Sequence, residues 1–119
     1  MKFFQYFLLI TLCGCQSISP INVRNERTEV AYIFANNLAA DGCIENVQLL
    51  SDKLRFRPTS STLPILQKAF NEIPPNTTSL SERAVTVRFI ETGQQVTLSC
   101  GWGVQFKVGE IELLEVRPR

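Results

Sequence analysis

The chain has 119 residues, with twelve Lys and Arg, eleven Asp and Glu and no His, which gives a formal net charge of +1. Such a balanced charge offers no electrostatic basis for binding nucleic acid, and the lack of His removes the commonest metal ligand and the commonest general base. The sequence also has no glycine-rich phosphate loop and no clustered pair of carboxylates, so we expect a protein that is not an enzyme and uses no metal or cofactor.

The first segment of the chain is short and apolar, and it follows one basic residue, Lys2. Residues 3–12 are mostly apolar, but a membrane-spanning helix needs roughly 20 such residues. A short apolar run behind a basic start is typical of a secretory signal, which is removed from the mature protein.

Residues 12–15 read LCGC and end this segment. They resemble the lipobox of bacterial lipoproteins, in which Leu, a small residue and the acylated Cys stand in this order. The resemblance implies that residues 1–14 are a signal peptide, that Cys15 carries the acyl chains, and that Gln16, which is not Asp, directs the protein to the outer membrane. Because two or more acyl chains hold a protein stably in a bilayer, we expect a lipid-anchored protein that faces the periplasm. An ordinary cleaved signal and an uncleaved anchor are the alternatives.

Residues 15–25 are polar, contain one Pro and show no hydrophobic period, which predicts a lipidated tether. At about 3.3 Å per residue, this tether spans at most roughly 30 Å, so the domain stays close to its membrane. The rest of the chain, residues 26–119, is expected to form a single domain.

The first element of that domain is predicted to be a helix over residues 26–40, with Asn25 as its cap. Val30, Phe34 and Leu38 recur every four residues, which is the spacing of one helix face. This pattern predicts an amphipathic helix at the start of the domain.

A short β-hairpin and a second helix are predicted next. Residues 47–49 and 53–57 alternate around a turn-like Ser-Asp pair, which indicates two paired strands. The second helix begins after Ser61 or Thr62, and Pro64 suits its first turn. It ends at Pro74-Pro75.

Four strands are predicted in the remainder of the chain, over residues 85–89, 96–100, 104–108 and 111–116. The alternation slips at Leu114, which predicts a β-bulge. The whole order is then α-β-β-α-β-β-β-β. We expect an α+β fold in which two amphipathic helices cover one face of a small antiparallel sheet.

Two cysteines remain for the domain once the signal peptide and the acylated residue are set aside, namely Cys43 and Cys100. A pair of cysteines in a small exported domain usually forms a disulfide, because the compartment is oxidising. A free buried pair and a redox pair are the alternatives, but the chain lacks the C-x-x-C spacing of thiol oxidoreductases. We expect a structural disulfide.

Lys53, Arg55 and Arg57 are the first candidates for an interaction. At a spacing of two, they point the same way from one strand and offer three cations to phosphates, carboxylates or an acidic partner. The alternative is a solvated edge strand whose charges discourage strand pairing.

Trp102 is the second candidate, because the glycines on either side of it let the backbone bend and expose the indole. The alternative is a Trp folded over the core beside the disulfide. The final strand, residues 110–116, is a third candidate: it accepts a partner's strand if it lies at an edge, and it is only core if it is central.

These features predict a small, non-catalytic outer-membrane lipoprotein that is held by its lipid anchor and binds a protein partner as an accessory of an envelope assembly. Two alternatives stay open. One is an inhibitor or exclusion factor that binds a foreign enzyme or receptor. The other is a lipid- or glycan-binding module.

Overall fold

The computed structural model of the protein describes residues 25–119, so the expectations for the signal peptide, Cys15 and nearly all of the tether lie outside the described residues. Five strands and one α-helix follow one another in this part of the chain. They are β1 (Glu26–Phe34), β2 (Asn46–Leu49), β3 (Arg55–Pro58), α1 (Leu63–Glu72), β4 (Glu82–Ser99) and β5 (Gln105–Pro118). Short 3₁₀ turns lie at Leu38–Ala40 and Gly101–Gly103.

The five strands close into a barrel in the order β1-β2-β3-β5-β4, with β4 also pairing with β1. Neighbouring strands run antiparallel except β3 and β5, which are parallel. A five-stranded barrel of this order, with its helix between β3 and β4, has the topology of the OB-fold. Fold alone does not assign a function, which has to be argued from particular residues.

Alternate residues of each strand point into the barrel and form one apolar core. The helix α1 adds Leu66 and Ala69 to this core. The strand residues of this core are Ala31, Ile33, Val47, Leu49, Phe56, Val85, Val87, Phe89, Ile111 and Leu113. Burial of these side chains is the main force that holds the barrel closed.

The predicted helix over residues 26–40 is wrong, because residues 26–34 form β1 and only a 3₁₀ turn follows. A spacing of four fits a helix, but the run VAYIF at residues 30–34 is also rich in β-branched and aromatic residues, which favour strands. Ala31 and Ile33 point inward with a period of two. Pairing with β2 on one side and β4 on the other fixes the segment as a central strand.

The predicted α+β fold class, with two helices on an antiparallel sheet, is wrong because the first predicted helix is the strand β1. The end of the chain also differs from the prediction. The last part of the chain forms two long strands, β4 and β5, rather than four short ones. The break predicted between the strands at residues 85–89 and 96–100 is instead a shift of register between Glu91 and Gln95, and β4 continues past it. A strand that bends at such an irregularity can curl around a barrel instead of ending.

Several local predictions are confirmed. The predicted hairpin exists as β2 and β3, although Lys53 lies in the turn with a φ of 64° rather than in the strand. The second helix spans Leu63–Glu72, with Thr62 at its N-cap position. The bulge at Leu114 is present, because Arg88 pairs with Glu115 while Phe89 pairs with Leu113. The final strand is central, since β5 lies between β3 and β4.

Candidate functional site

The predicted disulfide between Cys43 and Cys100 is present and joins two loops that are far apart in the chain. Cys43 belongs to the loop between β1 and β2, and Cys100 follows the last residue of β4. Backbone hydrogen bonds flank the bridge on both sides: Ile44 N donates to Ser99 O at 3.0 Å, and Gly101 N donates to Gly42 O at 2.8 Å. The two loops are therefore held together by covalent and hydrogen bonds.

The close approach of these two loops explains why residue 101 is a glycine. A Cβ added to Gly101 would lie 2.6 Å from the Cα of Asp41, which is closer than real Cβ atoms come to backbone. Only a residue without a side chain lets the backbones of the two loops meet here. The end of the β4–β5 hairpin is thus fixed by tight packing as well as by the disulfide.

Trp102 stands at the tip of this fixed hairpin and is 87% exposed, so it does not fold over the core. Its backbone is in the left-handed region, with a φ of 64°, and Gly103 follows with a φ of 73°. A left-handed conformation is costly for a residue with a Cβ. The surrounding loops hold it there and keep the indole in solvent.

Two further apolar side chains beside Trp102 are exposed. Val104 is 43% exposed and Phe106 is 52% exposed. Phe106 pairs with Leu98 across the hairpin, and paired residues of antiparallel strands share a face. Leu98 is fully buried, whereas Phe106 at the outer edge of that face stays open to solvent. We call the exposed side chains of Trp102, Val104 and Phe106 the hairpin surface.

The structure does not bring Lys53, Arg55 and Arg57 together as a basic stripe. Lys53 lies in the β2–β3 turn. Arg57 donates to the carbonyl oxygen of Glu45 at 2.7 Å and lies 3.7 Å from its carboxylate. These contacts commit Arg57 to a partner within the domain.

Arg55 has a different environment. Its Nη1 donates to the side-chain oxygen of Asn46 at 2.7 Å, and its guanidinium carbon lies 4.9 Å from the centre of the Phe34 ring. Burial lowers the pKa of Arg55, and the attraction of Glu82 opposes that shift only in part. Arg55 is therefore a partly desolvated cation held by neutral groups.

Sequence reasoning missed Val104 and Phe106 as candidates. Their alternation indicated a strand with a buried apolar face, and a strand is indeed present. That pattern did not show that residues 104–107 are exposed on both faces of the strand, although Leu98 on the paired strand is buried. The adjacent Gly-Trp-Gly sequence was the one signal that this part of the chain is exposed.

In residues 25–119, no group of three or more His, Cys, Asp or Glu side chains is placed to hold a metal ion. Within the same part of the chain, no helix has both the length and the apolar character needed to cross a membrane. A scan against protein-family models found no match, and searches of curated proteins and of solved structures found none either. The functional argument therefore depends on the geometry of the hairpin and the barrel.

Proposed function

We propose that this chain is a small lipid-anchored protein of the outer membrane that has no catalytic role and binds a protein partner as an accessory of an envelope assembly. The partner contacts the hairpin surface. The anchor follows from the resemblance of residues 12–15 to a lipobox. The exposure of apolar side chains on the folded domain supports the binding role.

The observation that carries the proposal is the exposure of Trp102 on a fixed hairpin. An exposed indole beside Val104 and Phe106 leaves apolar surface in water, which is unfavourable unless a partner covers it. Trp is also enriched among the residues that contribute most to protein–protein binding. Because the disulfide and the contact at Gly101 already order the hairpin, the hairpin would lose little conformational entropy when a partner binds.

Affinity capture after cross-linking in intact cells tests this proposal. Trp102→Ala should reduce recovery of the envelope partner about tenfold or more, as expected for the loss of a Trp hot spot. Leu80→Ser is the matched control, because Leu80 is 76% exposed but lies in the loop between α1 and β4. Equal recovery with wild type and Trp102→Ala, or no protein partner with wild type, contradicts the proposal.

A glycan-binding role is the second candidate, and the barrel topology favours it. OB-fold barrels bind oligosaccharides as well as oligonucleotides through the β2–β3 face and the loops β1–β2 and β4–β5, and here the disulfide joins those two loops. An exposed Trp presents a flat apolar ring to a sugar face. Retention of the protein on immobilised envelope glycan, lost in Trp102→Ala and kept in Leu80→Ser, would favour this role over a protein partner.

A further inference from the structure

The strand β5 begins with a stretch that is paired on one side only. It pairs with β4 from Gln105 onward, but its pairing with β3 begins only at Gly109. Among residues 25–119, no strand pairs with residues 105–108 on the side away from β4. The side chains of Gln105, Phe106 and Lys107 are exposed. We call the unpaired side of residues 105–108 the free edge.

The hydrogen bonds of the hairpin show which backbone groups point toward the free edge. Cys100 N donates to Val104 O at 2.8 Å, and every second residue pair of an antiparallel ladder exchanges such bonds. Phe106, two residues after Val104, therefore bonds to β4. The N–H and C=O groups of Gln105 and Lys107 point the other way, toward the free edge.

The contact of β5 with β3 gives the same direction. Ile111 stands an even number of residues after Lys107, and its carbonyl oxygen accepts from Thr59 N at 2.8 Å on the β3 side. A strand edge that presents N–H and C=O groups in this way is a template for another strand. A cleft of about 350 Å³ lies between Leu54 and Val108 and leaves room for the end of an added strand.

The sequence along the free edge matches a second copy of itself. Residues 104–108 read VQFKV, which alternates between apolar and polar residues in either direction. In an antiparallel pair centred on Phe106, the two Phe106 rings face each other and Val104 of one copy faces Val108 of the other. Gln105 of one copy then lies opposite Lys107 of the other. No like charges stand directly opposite each other, which would destabilise the pair.

We propose that two copies of this chain pair antiparallel along the free edge, with Phe106 on the twofold axis. Backbone hydrogen bonds would join Gln105 of each copy to Lys107 of the other. Pairing at an edge leaves the faces of the strands open, so the hairpin surfaces of the two copies would lie side by side. This pairing goes beyond the proposed function and does not depend on an envelope partner.

The interface between the two copies is short, so their association is weak. Two edges of this length bury less than the roughly 1,200 Å² of a stable interface. We expect a dissociation constant on the order of 0.1 mM. A covalent link at the twofold axis is therefore the most direct test.

Phe106→Cys in the full chain, purified in detergent micelles, should form a disulfide-linked dimer. The Cα atoms of a facing pair that is not hydrogen-bonded lie about 4.5 Å apart, which is within reach of a disulfide. Lys107→Cys is the matched control, because the two copies of residue 107 would be offset along the strands by about 7 Å. The dimer should form about tenfold faster from Phe106→Cys, as gels run without reductant would show. Equal rates, or no dimer from Phe106→Cys, overturns the proposal.

The charge at position 105 tests the register without an added cysteine. Gln105→Lys should weaken dimerisation about fivefold, because it places Lys opposite Lys107 twice across the interface, and Gln105→Glu should strengthen it by a similar factor. The same two substitutions at Gln94 are the controls, since Gln94 is exposed in the same hairpin but lies outside the free edge. Analytical ultracentrifugation measures the association. Equal effects at the two positions, or no opposite effects of Lys and Glu at position 105, overturns the proposed register.

Capture from cells separates the pairing from the proposed function. If purified wild type dimerises but no envelope partner is recovered from cells, the proposed function fails and the pairing stands. If Phe106→Cys in intact cells becomes linked mainly to a different protein, a foreign strand occupies the free edge and the pairing of two copies is wrong.

Discussion

Asn46 is a polar residue that the barrel buries almost completely, with 1% of it exposed. Its Nδ2 donates to Ile44 O at 2.8 Å, and its Oδ1 accepts from Arg55 Nη1 at 2.7 Å. One side chain thereby satisfies a loop carbonyl and orients the Arg55 guanidinium beside the Phe34 ring. A buried polar side chain is stable in such a position because both of its functional groups are paired.

Replacing Asn46 with Ala should lower the free energy of unfolding by about 1–3 kcal/mol, because it leaves a partly buried carbonyl oxygen and a partly buried cation without their partner. Denaturant titration measures this change. Gln48→Ala is the control, since Gln48 makes one exposed hydrogen bond from the same strand, and it should stay within about 0.5 kcal/mol of wild type. An equal effect of the two substitutions contradicts the role given to Asn46.

At the scale of single residues, sequence alone predicted the cysteine pair and singled out Trp102 as a candidate, but it did not reveal the partners of Arg55. The pairing of Cys43 with Cys100 was predicted because only these two cysteines remain for the domain and because an exported domain meets an oxidising compartment. Asn46, in contrast, stands in a strand whose pattern gives no hint of burial on both faces. Its partners are the carbonyl of Ile44, just before β2, and Arg55 on β3.

At the scale of elements, the sequence predicted those whose patterns are local. The β2–β3 hairpin, α1 and the bulge at Leu114 each follow from a turn, a cap or a slip of alternation. The parallel pairing of β3 with β5 is not local, because it joins residues about fifty positions apart. It depends on the closure of the barrel, which no short window encodes.

β1 shows why a period can mislead. Its inward-pointing positions begin with Arg27 and Glu29, which form an ion pair with each other. The inward-pointing positions become apolar only at Ala31. A strand with charged residues on its inner face at one end does not alternate cleanly between apolar and polar. The helical spacing of four therefore looked stronger than the true period of two.

Replacing both Cys43 and Cys100 with Ser should lower the free energy of unfolding by up to about 4 kcal/mol, because the bridge closes a loop of 57 residues in the unfolded chain. Denaturant unfolding under non-reducing conditions measures the loss. Wild type treated with a reductant should approach the double variant. An unchanged unfolding midpoint in the variant would mean that the bond contributes nothing to stability.

At the scale of the whole molecule, the closed barrel restricts how a partner can bind. From Gly109 onward, the final strand lies between β3 and β4 rather than at an edge of the sheet, which disfavours strand addition there. Recognition of the envelope partner is then left to side chains that project from the surface. The hairpin surface offers such side chains, because Trp102, Val104 and Phe106 are exposed there.

The proposed anchor makes a separate prediction for the whole protein. Cys15→Ala should move the protein from the membrane fraction to the soluble fraction, because two or more acyl chains are what would hold it in the bilayer. The domain should keep its wild-type unfolding midpoint, since residue 15 lies outside it. Fractionation with immunoblotting measures the distribution, and persistence of the variant in the membrane fraction contradicts the lipobox assignment.

Photo-cross-linking from position 102 in intact cells tests the central claim most directly. A photoreactive phenylalanine derivative replaces Trp102 in one variant and Leu80 in another, since both side chains are exposed but only Trp102 belongs to the hairpin surface. The account predicts one dominant envelope-protein adduct from position 102 and no such adduct from position 80. No protein adduct from position 102, or the same adducts from both positions, would contradict it.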